Sequence, residues 1–232
     1  METDIIVCTH NRPELLKRTL NHLFERTTSP YRLHVIDDAS TAGNVEYLSR
    51  LWAEGRLASL LLRREPRQFA ANWNIAPWIA QSEILVFSDD DILCPRLEPD
   101  WLARGLAAMA EYPRIGMLAP NCPSQPPAIH DDRRIGPLMI CDKLGTTLTL
   151  IRRAPMRQIV IPPNGTKLAG ITVFDDGTHL ATAWARAMRA QRLEVAYMVD
   201  VYCQHIGAIS ARNNQDLSMR MVEPSNPDTL EP

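Results

Sequence analysis

Short apolar runs and longer amphipathic stretches take turns along the first part of the chain. Residues 4–9 form an apolar run of strand length. Leu15, Leu16, Leu20, Leu23 and Phe24 then recur at helical spacing up to about Arg26. Between them stand Asn11-Arg12-Pro13-Glu14. Asn11 is a favourable N-cap, Pro13 suits a first turn, and Glu14 stands three residues on, as in a capping box. A second strand is predicted over 32–36, a helix over 45–52, a third strand over 57–62 and a helix over 68–80. The run from Glu83 to Phe87 is a fourth strand, and it ends in Ser88-Asp89-Asp90-Asp91.

Strand and helix alternate three times before the acidic strand opens a fourth repeat. Apolar runs without period-2 alternation are buried on both faces, so the pattern predicts an α/β fold with a mostly parallel central sheet flanked by helices. Ligands of such sheets bind beyond the carboxyl ends of the strands. Thr9-His10-Asn11, Asp37-Asp38 and Asp89-Asp90-Asp91 all fall at those ends and converge on one rim. Further on, a helix is predicted over 99–112, a strand over 115–120 and a Pro-rich loop over 120–137. A strand over 146–151, a short helix over 154–160, a helix over 178–191 and a strand over 193–201 follow. Trp73, Trp78 and Trp101 are expected to pack helices onto the sheet, and Trp184 to join the core. Residues 1–207 read as one domain, with a nucleotide-binding half over about 1–95 and an acceptor half over about 96–207. Residues 208–232 read as a partly disordered tail.

Composition narrows the class. The chain has 232 residues, 45% hydrophobic and 22% charged, as in globular proteins, and a formal net charge of −2 that offers no broad basic field for nucleic acid. Cys8, Cys94, Cys122, Cys141 and Cys203 are odd in number and scattered, with no CxxC pair. They fit neither a zinc site nor a disulfide framework, and a reducing, cytoplasmic compartment is expected. No apolar run reaches a membrane span and no signal peptide is read, which leaves peripheral membrane contact open.

Three consecutive carboxylates at a strand end repel one another. A divalent cation relieves this, and Mg²⁺ or Mn²⁺ prefers carboxylate oxygens, completed by phosphate oxygens from a substrate. The competing reading is a solvated acidic turn.

These pieces resemble family 2 glycosyltransferases of the GT-A fold. Ile5-Ile6-Val7-Cys8-Thr9-His10-Asn11-Arg12-Pro13 resembles that family's first strand and "TYNR" turn, with His10 in place of Tyr. Val35-Ile36-Asp37-Asp38-Ala39-Ser40 is similar to its "VDDGS" segment. Ala70-Ala71-Asn72-Trp73-Asn74-Ile75 is similar to "ARNxGI", with Ala71 replacing Arg and Asn74 replacing Gly. Residues 87–95 resemble the DXD metal motif, Asp175-Asp176 the pair that supplies the catalytic base, and His205 a histidine near the end of the catalytic domain.

The resemblance implies a metal-dependent, inverting transfer from a nucleotide-sugar, UDP- or dTDP-linked, to a hydroxyl of a glycan, lipid-linked or small-molecule acceptor. It places Thr9, His10, Asn11, Arg12, Asp38, Asn72, Asp89 and Asp90 at the donor. Asp38 accepts the ring N–H of the base, with His10 lying against it, while Asp37 is structural. The metal, Mn²⁺ or Mg²⁺, falls to Asp89, Asp90 and Asp91. The DXD pattern favours the first and third, although some members use the first two. His205 is either a ligand of metal or phosphate, or a buried structural residue. Asp176 is the expected base and Asp175 the alternate. Two other readings stand beside this one. A sugar-1-phosphate nucleotidyltransferase shares the layout, but carries a Gly-rich first turn that this chain lacks. A catalytically inactive nucleotide-sugar-binding relative is the other.

Overall fold

The computed structural model describes residues 2–123, 133–145, 147–161, 165–173 and 179–207. The expected elements of the first half form in order: β1 (Thr3–Thr9), α1 (Pro13–Arg26), β2 (Tyr31–Asp37), α2 (Ala42–Ala53), β3 (Ser59–Leu62), α3 (Gln68–Ile79) and β4 (Ile84–Ser88). The second half contributes β5 (Ile92–Leu93), α4 (Trp101–Glu111), β6 (Ile115–Asn121), β7 (Arg134–Ile135), β8 (Leu138–Ile140), β9 (Leu148–Arg152) and α5 (Arg153–Met156). The last described elements are β10 (Lys167–Leu168), β11 (Ile171–Thr172), α6 (Leu180–Ala190), β12 (Glu194–Tyr202) and β13 (Gln204–His205).

One nine-stranded sheet runs in the order β3-β2-β1-β4-β9-β6-β12-β8-β7. β1 pairs in parallel with β2 and β4, and β12 with β6, while β9 and β8 run against their neighbours. The sheet is therefore mostly parallel, as the alternation predicts. Its strands feed two cores by the period-2 rule. Ile5 and Val7 of β1 face the layer of α1, α2 and α4, with Leu16, Leu20, Leu48, Leu51, Trp101 and Leu102. Ile6 faces the layer of α3 and α6, with Trp73, Ala76, Ala183, Trp184 and Met188. In that second layer Trp73 lies on Phe87 with ring centroids 4.2 Å apart, and Trp184 closes on Phe87 at 5.5 Å.

Three expectations are corrected. Asn11 is not the cap of α1. That place falls to Arg12, with no side-chain capping bond, because Asn11 sits at φ 52 and turns its amide toward the next loop. Trp78 does not pack onto the sheet. It follows Trp73 by five residues, about 140° around a helix of 3.6 residues per turn, and stays 64% exposed under the Arg157 guanidinium. The expected loop over 120–137 ends in structure, since β7 and β8 make a hairpin around Gly136 at φ 56. Residues 124–132 of that stretch, and the tail 208–232, lie outside the described residues.

Candidate active site

The strand order 3-2-1-4 reverses direction at β1, so the loops leaving β1 and β4 part and open a crevice between them. The polar residues singled out from the sequence stand on that rim.

The loop after β1 is tied to the loop after β2. Asn11 Oδ1 accepts from Thr41 N at 2.7 Å, which fixes the amide. Its Nδ2 then donates to His10 Nε2 at 3.1 Å. The remaining ring nitrogen, Nδ1, therefore carries the proton and donates to the Asp38 carbonyl at 2.7 Å. His10 is exposed on the rim. Asp37 is structural, accepting from Ser40 N at 2.8 Å and Asn44 Nδ2 at 3.1 Å. Asp38 is 6% exposed, and its two carboxylate oxygens accept from Arg67 N and Gln68 N, each at 2.8 Å, at the start of α3. Arg63 Nε stands 3.8 Å from Asp38 and donates to Asn72 Oδ1 at 2.6 Å. Asn72 thus orders the segment after β3, and Asn74 pins Ile161 through bonds in both directions.

The acidic turn after β4 divides. Asp90 is buried and accepts from Thr9 Oγ1 at 2.6 Å and Arg12 Nη1 at 2.9 Å. Arg12 Nη2 donates to Asp91 Oδ2. The other Asp91 oxygen faces His205, whose Nε2 lies 3.1 Å away. Among the described residues, that buried oxygen meets the imidazole alone. The short ribbon of β5 and β13 produces this meeting: His205 is paired with Ile92, and Ile206 N donates to Asp91 O at 2.9 Å. Asp89, Asp91 and His205 each offer a ligand atom, and these lie within 4.8 Å of one another. Asp90, also expected at the metal, is not one of these three.

The electrostatics follow from this geometry. Burial drives the Asp89 carboxyl well above its ordinary range, and neighbouring Asp91 adds to it. Burial also pushes Asp90 up to about 6, against the pull of Arg12. For Asp91 burial is outweighed by His205 and Arg12, which hold it below the usual carboxylate range. Burial depresses His205, but Asp91 overrides it and raises the imidazole. Two carboxylates and an imidazole with ligand atoms this close together fit a divalent cation. The nitrogen favours Mn²⁺ over Mg²⁺.

Asp175 and Asp176 lie outside the described residues. Sequence reasoning missed Arg63 and Gly207. A Cβ at Gly207 would collide with Asp91 Oδ2 and Arg12 Nη2, and nothing local in the sequence announces that approach. None of the five cysteines is in a disulfide. Among the described residues no helix is long and apolar enough to cross a membrane.

A mostly parallel sheet flanked by helices, with an acidic turn at the reversal point, matches the GT-A glycosyltransferase fold. The chain belongs to glycosyl transferase family 2, whose model matches residues 4–161. Among solved structures it is similar to the mannosyltransferase PcManGT from Pyrobaculum calidifontis in complex with GDP-Man and Mn²⁺. The identity is 22%, the TM-score 0.63, and the match covers 87% of this chain and 56% of that one. It is also similar to S. aureus TarS, at 18% identity and TM-score 0.61 over 87% of this chain and 36% of that one. TarS 1-349 in complex with UDP-GlcNAc matches at 17% identity and TM-score 0.60, over 87% of this chain and 58% of that one. The chain thus spans between about a third and three fifths of the length of these proteins. No curated protein matches it.

Proposed function

We propose that the chain transfers a sugar, with inversion, from a UDP- or dTDP-linked donor to a hydroxyl of a glycan, lipid-linked or small-molecule acceptor. The observation that carries this reading is the convergence of Asp89, Asp91 and His205 beside the crevice between β1 and β4. The nucleotide-sugars bound by the similar structures support the donor class.

Asp89, Asp91 and His205 would hold Mn²⁺ or Mg²⁺. Bound there, the cation neutralises charge developing on the leaving diphosphate. The other roles belong to the chain's own groups. Asp38 faces the base: each of its oxygens has one backbone donor and keeps a second lone pair for a ring N–H. His10 lies over the same rim, held there by Asp38 and Asn11. Thr9 and Arg12 reach the site through Asp90. Asp176, with Asp175 as alternate, takes the proton of the acceptor hydroxyl on the face opposite the leaving group. The nucleotidyltransferase reading loses ground because Arg12, the basic residue of the first turn, is held by Asp90 and Asp91 rather than presented to a triphosphate.

The test is a thermal-shift series with UDP, dTDP and GDP, with and without Mn²⁺. At a hundredfold excess over Kd, binding contributes about 2.7 kcal/mol, which for a chain of this size raises Tm by about 5 °C or more. UDP or dTDP is expected to do so only with Mn²⁺ present. A set of nucleotides that all ignore Mn²⁺ would sink the reading.

A further inference from the structure

Arg12 holds two carboxylates of the acidic turn at once. Its Nη1 donates to Asp90 Oδ1 at 2.9 Å and its Nη2 to Asp91 Oδ2, while its Nε is buried with no acceptor. The side chain is thus fixed by its two terminal nitrogens alone, in the fork geometry that suits guanidinium and not ammonium. The Asp90 carboxylate is occupied on its other side as well, by Thr9 Oγ1 at 2.6 Å. Asp90 therefore has both oxygens engaged and only 3% exposure, whereas Asp89 has no side-chain partner among the described hydrogen bonds and is half-buried.

Charge and space agree with that division. With the carboxyls ionised and His205 neutral, as cation binding requires, three carboxylates and one guanidinium leave two net negative charges, which one divalent cation neutralises. Arg12 can come this close to Asp91 only because residue 207 is glycine, since a Cβ there would collide with both members of the pair. Gly207 directly follows Ile206, whose backbone N is bonded to Asp91 O, so the opening is held in register with the turn.

We propose that Arg12 is a positioning residue that partitions the acidic turn: it withdraws Asp90 and one oxygen of Asp91, leaving Asp89, the other oxygen of Asp91 and His205 to hold the cation, and Gly207 provides the room for it. This rests on the metal reading above and goes beyond it by assigning which carboxylates are kept out and what keeps them out. Removing Arg12 frees Asp90 to turn toward the cation.

The test is a double-mutant cycle read as Mn²⁺ affinity, by titration of the free-Mn²⁺ electron spin resonance signal on the full chain. In the unsubstituted background Asp90→Asn is expected to change Kd by less than about threefold, and in the Arg12→Met background by tenfold or more. A residue with a merely structural role would shift both backgrounds alike. Should Arg12→Met fail to fold, Gly207→Ala and Arg12→Lys serve in its place. The first crowds the clamp, and the second keeps the charge but cannot fork, so each is expected to raise the dependence on Asp90. A tenfold loss from Asp90→Asn with Arg12 intact overturns the partition, as does an equal effect of Asp90→Asn in all backgrounds. Failure of the unsubstituted protein to take up Mn²⁺ overturns the metal reading itself, and with it the partition.

Discussion

Asp91 and His205 meet at 3.1 Å although 114 positions separate them in the chain, and among the described residues the buried oxygen that faces the imidazole meets nothing else. Burying a carboxylate oxygen in this way is costly unless something satisfies it. The fold maintains the arrangement through the β5–β13 ribbon, which has two residues in each strand, and through Ile206 N bonded to Asp91 O. The proposed cation would satisfy that oxygen, and Asp89 stands beside it.

Replacing His205 tests this directly. His205→Ala removes one of the three proposed ligands while leaving the ribbon's backbone bonds in place. Mn²⁺ Kd, measured by calorimetric titration, is expected to rise at least about tenfold, with Tm shifted by only a few degrees. Unchanged affinity would mean that the imidazole is structural.

Asp4 lies at the opposite end of β1 and is fully buried. Burial alone would raise its pKa. Bonds from Ser82 N, His34, Gln81 N and Arg32 reverse this and hold the carboxyl well below the usual range. A carboxylate with a depressed folded pKa contributes stability above its unfolded value of about 3.9, and loses it as pH falls through the folded value. Asp4→Asn is expected to cost about 3 kcal/mol at pH 7, by removal of one member of a buried pair. In urea titrations the gap between the two proteins should stay constant above about pH 5 and narrow below about pH 4. A gap that widens on acidification would contradict the assignment.

Trp73 and Trp78 share one helix and differ in consequence. Trp73 is fully buried against Phe87 and Trp184, whereas Trp78 is largely in solvent. Trp73→Ala should lower stability by about 3–5 kcal/mol, as large-to-small changes in aromatic cores do. Trp78→Ala should cost less than about 1 kcal/mol, since it gives up only a surface contact with Arg157. Equal losses in denaturant titrations would place Trp78 in the core after all.

The alternation of the first half was legible because each element there is long enough for its period to register. The apolar stripe of α1 and the unbroken runs of β1, β2 and β4 predict a parallel sheet, and the rim follows from strand polarity. What escaped depends on contacts between distant segments. Strands as short as β5, β13 and β7 leave no periodic trace, so His205 comes to the acidic turn only through the family resemblance, and the hairpin of β7 and β8 is not legible. Asn11 fits a cap by type, yet the Thr41 amide claims its side chain. Three successive acids look alike in sequence. Thr9 and Arg12, acting on Asp90 from another strand end, make them different.

The base is the remaining assignment. An acceptor hydroxyl is a weak nucleophile, so loss of the carboxylate that takes its proton should lower the transfer rate by about 10²–10⁴-fold. Asp176→Asn is expected to show that loss while keeping the Mn²⁺-dependent thermal shift with the donor nucleotide, because binding relies on Asp38 and the Asp89, Asp91 and His205 cluster. On the proposed assignment Asp175→Asn should lose far less, since an inverting displacement uses a single base. The measurement is single-turnover transfer with the donor that gives the largest shift. Transfer unaffected by Asp176→Asn but abolished by Asp175→Asn would exchange the two roles. Transfer unaffected by either would move the base elsewhere on the rim.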